Sequence, residues 1–234
     1  MKKILAFGDS IMKGVVVDRN RSVSDMKYTV SDESFTEECS RRLGVEIENF
    51  SRFGSTVTTG KKIVDRHLDQ VKEADYVLLK FGGNDSAYRW DEIGDDPEAP
   101  HSPNTDIDTF RHNYIEIVDE ILDQGVTPVI ISMPPIDPEK YYANVMRGLD
   151  ERQKKNVEKW LGGQPSYIYN WHEIYNLEVF KIAALKKLPF IDITSAFLNR
   201  RDFRSLLCPD GMHPNENGHR LIADTICSSL APAL

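Results

Sequence analysis

Ser10, Asp210 and His213 are the side chains whose types and spacing suit a nucleophilic reaction. A serine hydroxyl attacks poorly unless a base removes its proton, and an imidazole oriented by a carboxylate is the common solution. In CPDGMHPN, Asp210 precedes His213 by three residues, so one tight turn can place both on the same side. The carboxylate then accepts the Nδ1 proton and leaves Nε2 for Ser10. Attack on a carbonyl also needs donors for the developing oxyanion. Three are in view: the backbone N–H of Ser10, the backbone N–H of Gly54 in SRFGSTV, and the side-chain amide of Asn84 in FGGND.

Each block has a plainer explanation when taken alone. In ILAFGDSIMKG, Gly8-Asp9 reads as a turn and Ser10 as the cap of whatever follows. Gly54 reads as a loop glycine with positive φ, and Asn84 as a turn stabiliser. Pro209-Asp210-Gly211 makes a β-turn unaided, with His213 a surface residue before Pro214. What separates the two readings is position: every block follows the C-terminal end of an apolar run.

Those runs are Ile4 to Phe7, Val45 to Phe50, Tyr76 to Phe81, Val126 to Met133 and Phe190 to Ile193. Their apolarity is continuous, as burial on both faces of a parallel sheet requires. Helical patterns lie between them. The clearest runs from Ile107 to Leu122, with Asn104-Thr105 as its expected cap and Gly125 as its stop. The last helix is expected to open with Pro214 in the helix-starting position, and others lie near 32–43, 60–71 and 172–187. Strands alternating with helices predict one three-layer α/β/α domain over residues 1–234. In an open parallel sheet the strand C-termini share one edge, where ligands bind, so residues two hundred positions apart can meet there.

At these blocks the sequence resembles the SGNH hydrolases, also called the GDSL esterase family. GDS around Ser10, Gly54, GGND around Asn84 and DGMHPN around Asp210 and His213 occur in that family's order, from the first strand to the last helix. The resemblance implies a flavodoxin-like five-stranded parallel sheet of order 2-1-3-4-5 and ester or thioester hydrolysis without metal or other cofactor. It implies Ser10 as nucleophile, His213 as base, Asp210 as its orienting partner, and Ser10, Gly54 and Asn84 as the oxyanion hole. Ile11 stands where the family usually has leucine. The G-x-S-x-G elbow of α/β-hydrolases is absent.

The rest of the sequence limits partners. A formal net charge of −8 over 234 residues argues against nucleic acid or an anionic membrane surface, both of which want a basic face. The opening MKKILAF is too short in its apolar part for a secretion signal, and no stretch is long enough to span a bilayer. Cys39, Cys208 and Cys227 show no metal-like spacing, which fits a reducing cytoplasm. His67, His101, His112 and His172 likewise lack ligand spacing, and His219 belongs to the last helix. Asp9 and Asp85 are expected to brace their loops through backbone hydrogen bonds.

Three excursions leave the strand C-terminal edge, at about 13–30, 85–105 and 134–171. The first contains VVVDRNRSV and reads as a small hairpin; the second is acidic and reads as a solvated rim. The third is rich in aromatics, among them Tyr141, Tyr142, Trp160, Tyr167, Tyr169, Trp171 and Tyr175, which read either as packing or as a wall over the substrate. The expected partner is a small acyl ester, with a carbohydrate O-acetyl ester as first choice. Lipid esters, acyl thioesters and acyl transfer would use the same residues. Outside enzymes, a flavodoxin-like module holding an anion or a glycan is the rival, but it has no need of DGMH at the crevice.

Overall fold

The computed structural model describes residues 2–18 and 25–232. The chain opens with strand β1 (Lys3–Gly8), one helical turn α1 (Ser10–Lys13), and the short strands β2 (Val15–Val17) and β3 (Tyr28–Val30). Next come α2 (Phe35–Leu43), β4 (Glu46–Asn49), α3 (Val57–Asp65), α4 (Leu68–Lys72) and β5 (Tyr76–Lys80). The middle of the chain forms α5 (Trp90–Asp95), α6 (Ile107–Asp123), β6 (Thr127–Ile131), α7 (Pro138–Met146) and α8 (Glu151–Trp160). It closes with α9 (Ser166–Lys186), β7 (Phe190–Ile191), α10 (Ile193–Leu198), a 3-10 turn at Phe203–Leu206 and α11 (Glu216–Leu230).

Five strands make a parallel sheet in the order β4-β1-β5-β6-β7, which is 2-1-3-4-5 when these five are counted along the chain. Ile4 lies opposite Ile47 on one side and Tyr76 on the other, and Leu78 opposite Val129. Alternate residues of each strand feed opposite cores. Leu5, Phe7, Val77 and Leu79 pack with α3, α6 and α9 through Val57, Phe110, Tyr114 and Val179. Ile4, Ala6, Leu78 and Ile131 pack with α2, α10 and α11 through Phe35, Phe197, Ile222 and Ile226. Burying both faces of the sheet removes several hundred Å² of aliphatic surface from water, and leaves the strand ends as the place for polar groups.

The excursion at 13–30 does contain a hairpin: β2 and β3 pair antiparallel, Val15 opposite Val30 and Val17 opposite Tyr28. Its connecting residues 19–24 lie outside the described ones. The other two excursions pack on each other. Helix α5 rests on α8, and Ile93, Ile136, Tyr141, Val157, Leu161 and Ile168 form a third apolar cluster beside the main cores. The acidic stretch near Asp91 is therefore anchored, with Ile93 fully buried and Asp95 paired to Arg152 at 3.0 Å.

Several boundaries differ from the sequence expectation, α9 for instance starting at Ser166 rather than near 172. Helix α6 is capped by Asp106, whose side chain accepts from the Thr109 N–H, because Asn104 instead donates its amide to the Asn84 carbonyl. The stretch at 60–71 is two helices. His67 bonds the Ile63 carbonyl through its ring at 2.6 Å, and its backbone N–H bonds Val64, so the i→i−4 ladder stops there. Helix α11 begins at Glu216 with Asn215 as cap, because Pro214 is held in a bridge to Leu207.

Candidate active site

The turn after β1 is built by contact. A Cβ on Gly8 would lie 2.6 Å from the Lys80 carbonyl and 2.7 Å from the Met12 Cβ, so only glycine fits. Asp9 follows in extended conformation and accepts from the Ile11 N–H at 2.9 Å, which starts α1 and makes Ser10 its first residue. The Asp9 carboxylate also meets the Lys80 ammonium at 2.9 and 3.1 Å, with both side chains sealed from solvent. Asp9 thus braces its loop as expected. The cation beneath it went unseen in the sequence, where the signal was one lysine ending the apolar run YVLLK.

The structure brings Ser10, His213 and Asp210 together. Ser10 Oγ is 2.8 Å from His213 Nε2, and His213 Nδ1 is 2.6 Å from Asp210 Oδ2, all in buried surroundings. Asp210 Oδ1 accepts the N–H groups of Met212 and His213 at 3.0 and 3.1 Å. Burial works to raise the Asp210 pKa, but the His213 ring and these two amides outweigh it and hold the carboxyl below its usual range. An ionised Asp210 accepts only, so Nδ1 carries the proton and Nε2 is left to accept from the Ser10 hydroxyl.

Residues 208–214 are pinned on several sides. Cys208 N–H donates to the His213 carbonyl at 2.7 Å, and Asp137 N–H to the Gly211 carbonyl at 2.8 Å. Gly211 has φ +75°, and a Cβ there would lie 2.5 Å from the Tyr141 nitrogen and 2.6 Å from the Asp137 oxygen. The turn is thereby pressed against the start of α7.

Asn84 lines the same cleft as Ser10, together with Gly83, Met133, Ile136, His172 and Met212. Its side-chain nitrogen donates to the Ser55 carbonyl at 3.1 Å. Asp85 accepts the Val57 N–H at 2.9 Å, so the two loops following β4 and β5 are stitched together. Burial pushes the Asp85 carboxyl up to about 7. Gly54 sits on the exposed turn before α3 with φ +70° and open space on its Cβ side. That turn is tied to the end of β1 by the Arg52 N–H, which donates to the Gly8 carbonyl at 3.2 Å. Phe53, the residue before Gly54, lays its ring parallel to His213.

Beside the cleft lies a narrow aromatic pocket, lined by Tyr88, Trp90, Tyr141, Trp160, Tyr167 and Trp171. It shares Gly83, Ile136, His172 and Met212 with the Ser10 cleft. The aromatics of 134–171 pack, most of them in the cluster beside the main cores and Trp171 against the main core, and four of them also line this pocket. Tyr175 is wholly in that core. His172, which has no ligand-like spacing, lines both spaces, and sequence reasoning missed it. His219 is buried on α11 against Phe35, as far from solvent as a core residue can be. Among the described residues no group of three His, Cys, Asp or Glu side chains is placed to hold a metal, and no helix is long and apolar enough to cross a membrane.

The profile of the GDSL-like Lipase/Acylhydrolase family matches residues 6–221, nearly the whole chain. The chain belongs to that family. It is accordingly an ester hydrolase. No curated protein sequence matches it significantly. Solved structures of similar fold include a lipase/acylhydrolase from Enterococcus faecalis, at 21% identity and TM-score 0.67, covering 100% of this chain and 97% of that one. A carbohydrate acetylesterase from Sinorhizobium meliloti aligns at 14% identity and TM-score 0.65, with 100% of both chains covered. An acetyl xylan esterase from Geobacillus stearothermophilus aligns at 18% identity and TM-score 0.68, covering 98% of this chain and 94% of the other. At such identities the likeness is one of fold.

Proposed function

We propose that this GDSL-family hydrolase cleaves a small O-acyl ester through an acyl-enzyme on Ser10, as one domain formed by residues 1–234. The observation that carries the reading is the 2.8 Å contact between Ser10 Oγ and His213 Nε2, made across 203 positions of sequence. His213 takes the Ser10 proton as Oγ attacks the ester carbonyl, and Asp210 stabilises the imidazolium that forms. The oxyanion is held by the backbone N–H groups of Ser10 and Gly54 and by the Asn84 amide. That amide has two N–H groups, and only one is engaged by Ser55. Collapse of the tetrahedral species breaks the ester C–O bond and gives the alcohol the proton from His213. Water then attacks the acyl-Ser10 carbonyl, again deprotonated by His213, releasing the acid and free enzyme.

The first substrate class is a carbohydrate O-acetyl ester. Two of the fold's neighbours are named as esterases of acetylated carbohydrates, and the Ser10 cleft is narrow. A second reading rests on the aromatic pocket. An apolar pocket that shares Gly83, Ile136, His172 and Met212 with the cleft suits a longer acyl group, as in a lysophospholipid or an acyl thioester. Wild type, Ser10→Ala and His213→Ala assayed on p-nitrophenyl acetate, p-nitrophenyl octanoate and acetylated sugars test both. The acetyl reading expects acetyl esters to lead, and a preference for octanoate or acyl thioesters overturns it.

A further inference from the structure

Two large aromatic rings stand at the surface beside His213 and, among the described residues, join no apolar core. Tyr28, the first residue of β3, has its ring centroid 5.2 Å from the imidazole at 53°, and Phe53 lies 6.1 Å away at 10°. The two rings meet each other at 5.4 Å. They are 38% and 57% exposed, whereas the imidazole they flank is buried. Single apolar groups scattered on a surface mean little, but two large rings in contact beside a buried base form a patch of the kind ligands use. Each is held by its own carrier. Phe53 precedes Gly54 in the turn that the Arg52 N–H ties to Gly8, and Tyr28 lies opposite Val17 in a hairpin that the Ser31 N–H ties to the Gly14 carbonyl at 2.9 Å. The platform is therefore formed before any ligand arrives.

Neither ring lines the Ser10 cleft or the aromatic pocket. The chemistry says which part of an ester would come to them. His213 Nε2 takes the Ser10 proton and then gives it to the alcohol oxygen as the ester C–O bond breaks, so that oxygen must come within about 3 Å of Nε2. The acyl group stays on Ser10 Oγ. The rest of the alcohol extends from an oxygen beside the imidazole, and the rings on the flank of the imidazole are within a few bond lengths of it.

We propose that Tyr28 and Phe53 form an alcohol-side subsite, a platform for the C–H face of a sugar ring whose O-acetyl group is cleaved at Ser10. Aromatic faces carry the negative part of the ring quadrupole, and the C–H groups of a pyranose carry the opposite partial charge. Stacking of this kind leaves the sugar hydroxyls at the ring edge in water, so none is buried unpaired. This subsite rests on the carbohydrate-ester reading and gives it an alcohol-binding surface. It has a signature that a merely structural role would not produce. His213 serves both half-reactions, whereas the alcohol is present only in the first. Rings that merely steadied His213 would affect acylation and deacylation alike. Rings that hold the alcohol affect acylation alone, and only for alcohols large enough to reach them.

The test compares wild type, Phe53→Ala, Tyr28→Ala and Tyr28→Phe on methyl acetate, whose alcohol is too small to reach the rings, and on an acetylated methyl xyloside. Phe53→Ala and Tyr28→Ala are each expected to lower kcat/KM for the xyloside by about 3- to 10-fold, the scale of one aromatic contact, and to leave methyl acetate within about two-fold. Tyr28→Phe keeps the ring and is expected to match wild type on both esters. Decay of acetyl-Ser10, followed by rapid-quench mass analysis, is expected to be the same in every protein. Equal losses on the two esters, slower decay of acetyl-Ser10 in the alanine variants, or a wild type that prefers methyl acetate each overturn the subsite. Alanine variants that match wild type throughout do so as well. A wild type that forms no acetyl-Ser10 from either ester removes the catalytic reading together with the subsite, whereas acetyl-Ser10 that forms with no dependence on the rings removes the subsite alone.

Discussion

Asp9 and Lys80 form an ion pair at 2.9 Å with side chains 2% and 0% exposed, next to Ser10 in the chain. A buried pair of this kind gains little over apolar side chains of the same volume, but removing one partner strands a charge. Its value here is geometric, because Asp9 also fixes the Ile11 N–H and thereby the start of α1.

Lys80→Met is therefore expected to destabilise the fold by about 3–5 kcal/mol, a fall in Tm of roughly 6–20 °C for a chain of this size. Adding Asp9→Asn removes the stranded charge and is expected to recover part of that loss. Thermal or urea denaturation of the single and double variants measures the coupling. An additive double variant would contradict the pairing.

Asp85 gives a pH dependence with a defined sign. Its carboxyl is raised to about 7 by burial, while the unfolded chain titrates near its ordinary value of about 3.9. Between these values the folded state binds a proton that the unfolded state has released. Stability contributed by this group is thus present in acid, falls as pH rises through that window and is flat above it, by about 4 kcal/mol in all. Asp85→Asn still accepts from Val57 but does not titrate. It is expected to gain on wild type by about 3 kcal/mol between pH 4.5 and pH 8 in urea melts, and a constant difference would contradict the assignment.

Gly211 and Gly54 share a positive φ but differ in their surroundings. An alanine at 211 meets backbone of α7 and its cap, while an alanine at 54 meets nothing within 4 Å. Gly54→Ala is expected to cost only the conformational strain, about 1 kcal/mol. Gly211→Ala is expected to cost at least about 3 kcal/mol and to lower kcat, since the turn that shifts carries His213. Equal denaturation midpoints for the two variants would contradict this.

How much of this was legible in the sequence depends on the range of the interaction. Continuous apolar runs such as Tyr76 to Phe81 report burial locally, so the five strands could be anticipated, while their order followed only from the resemblance to the SGNH hydrolases. The four polar blocks report their strand ends in the same way. Asp9 with Lys80, and Tyr28 with His213, could not be read, because each pairing depends on how separate loops dock after the sheet has formed. The cap of α6 was misplaced for a related reason: Asn104 is a good cap by type, but the Asn84 carbonyl claims its amide. His172 looked like one polar residue on a helix, and only the fold turns it toward the cleft.

The aromatic pocket makes a substrate prediction. Trp160 walls it without lining the Ser10 cleft. Trp160→Ala is expected to leave p-nitrophenyl acetate turnover within about two-fold and to change kcat/KM for p-nitrophenyl octanoate by about ten-fold or more, the scale of one or two methylene contacts. Identical ratios for the two esters in wild type and variant would show that acyl groups do not enter the pocket.

The central claim is that Ser10 is made nucleophilic by His213. Its most direct measurement is labelling with a fluorophosphonate, followed by peptide mass analysis, on wild type, Ser10→Ala and His213→Ala. One phosphonyl group on Ser10 in wild type, none in Ser10→Ala and a rate at least about 10³-fold lower in His213→Ala is the predicted result. Wild type that stays unlabelled, or labels at another residue, contradicts it.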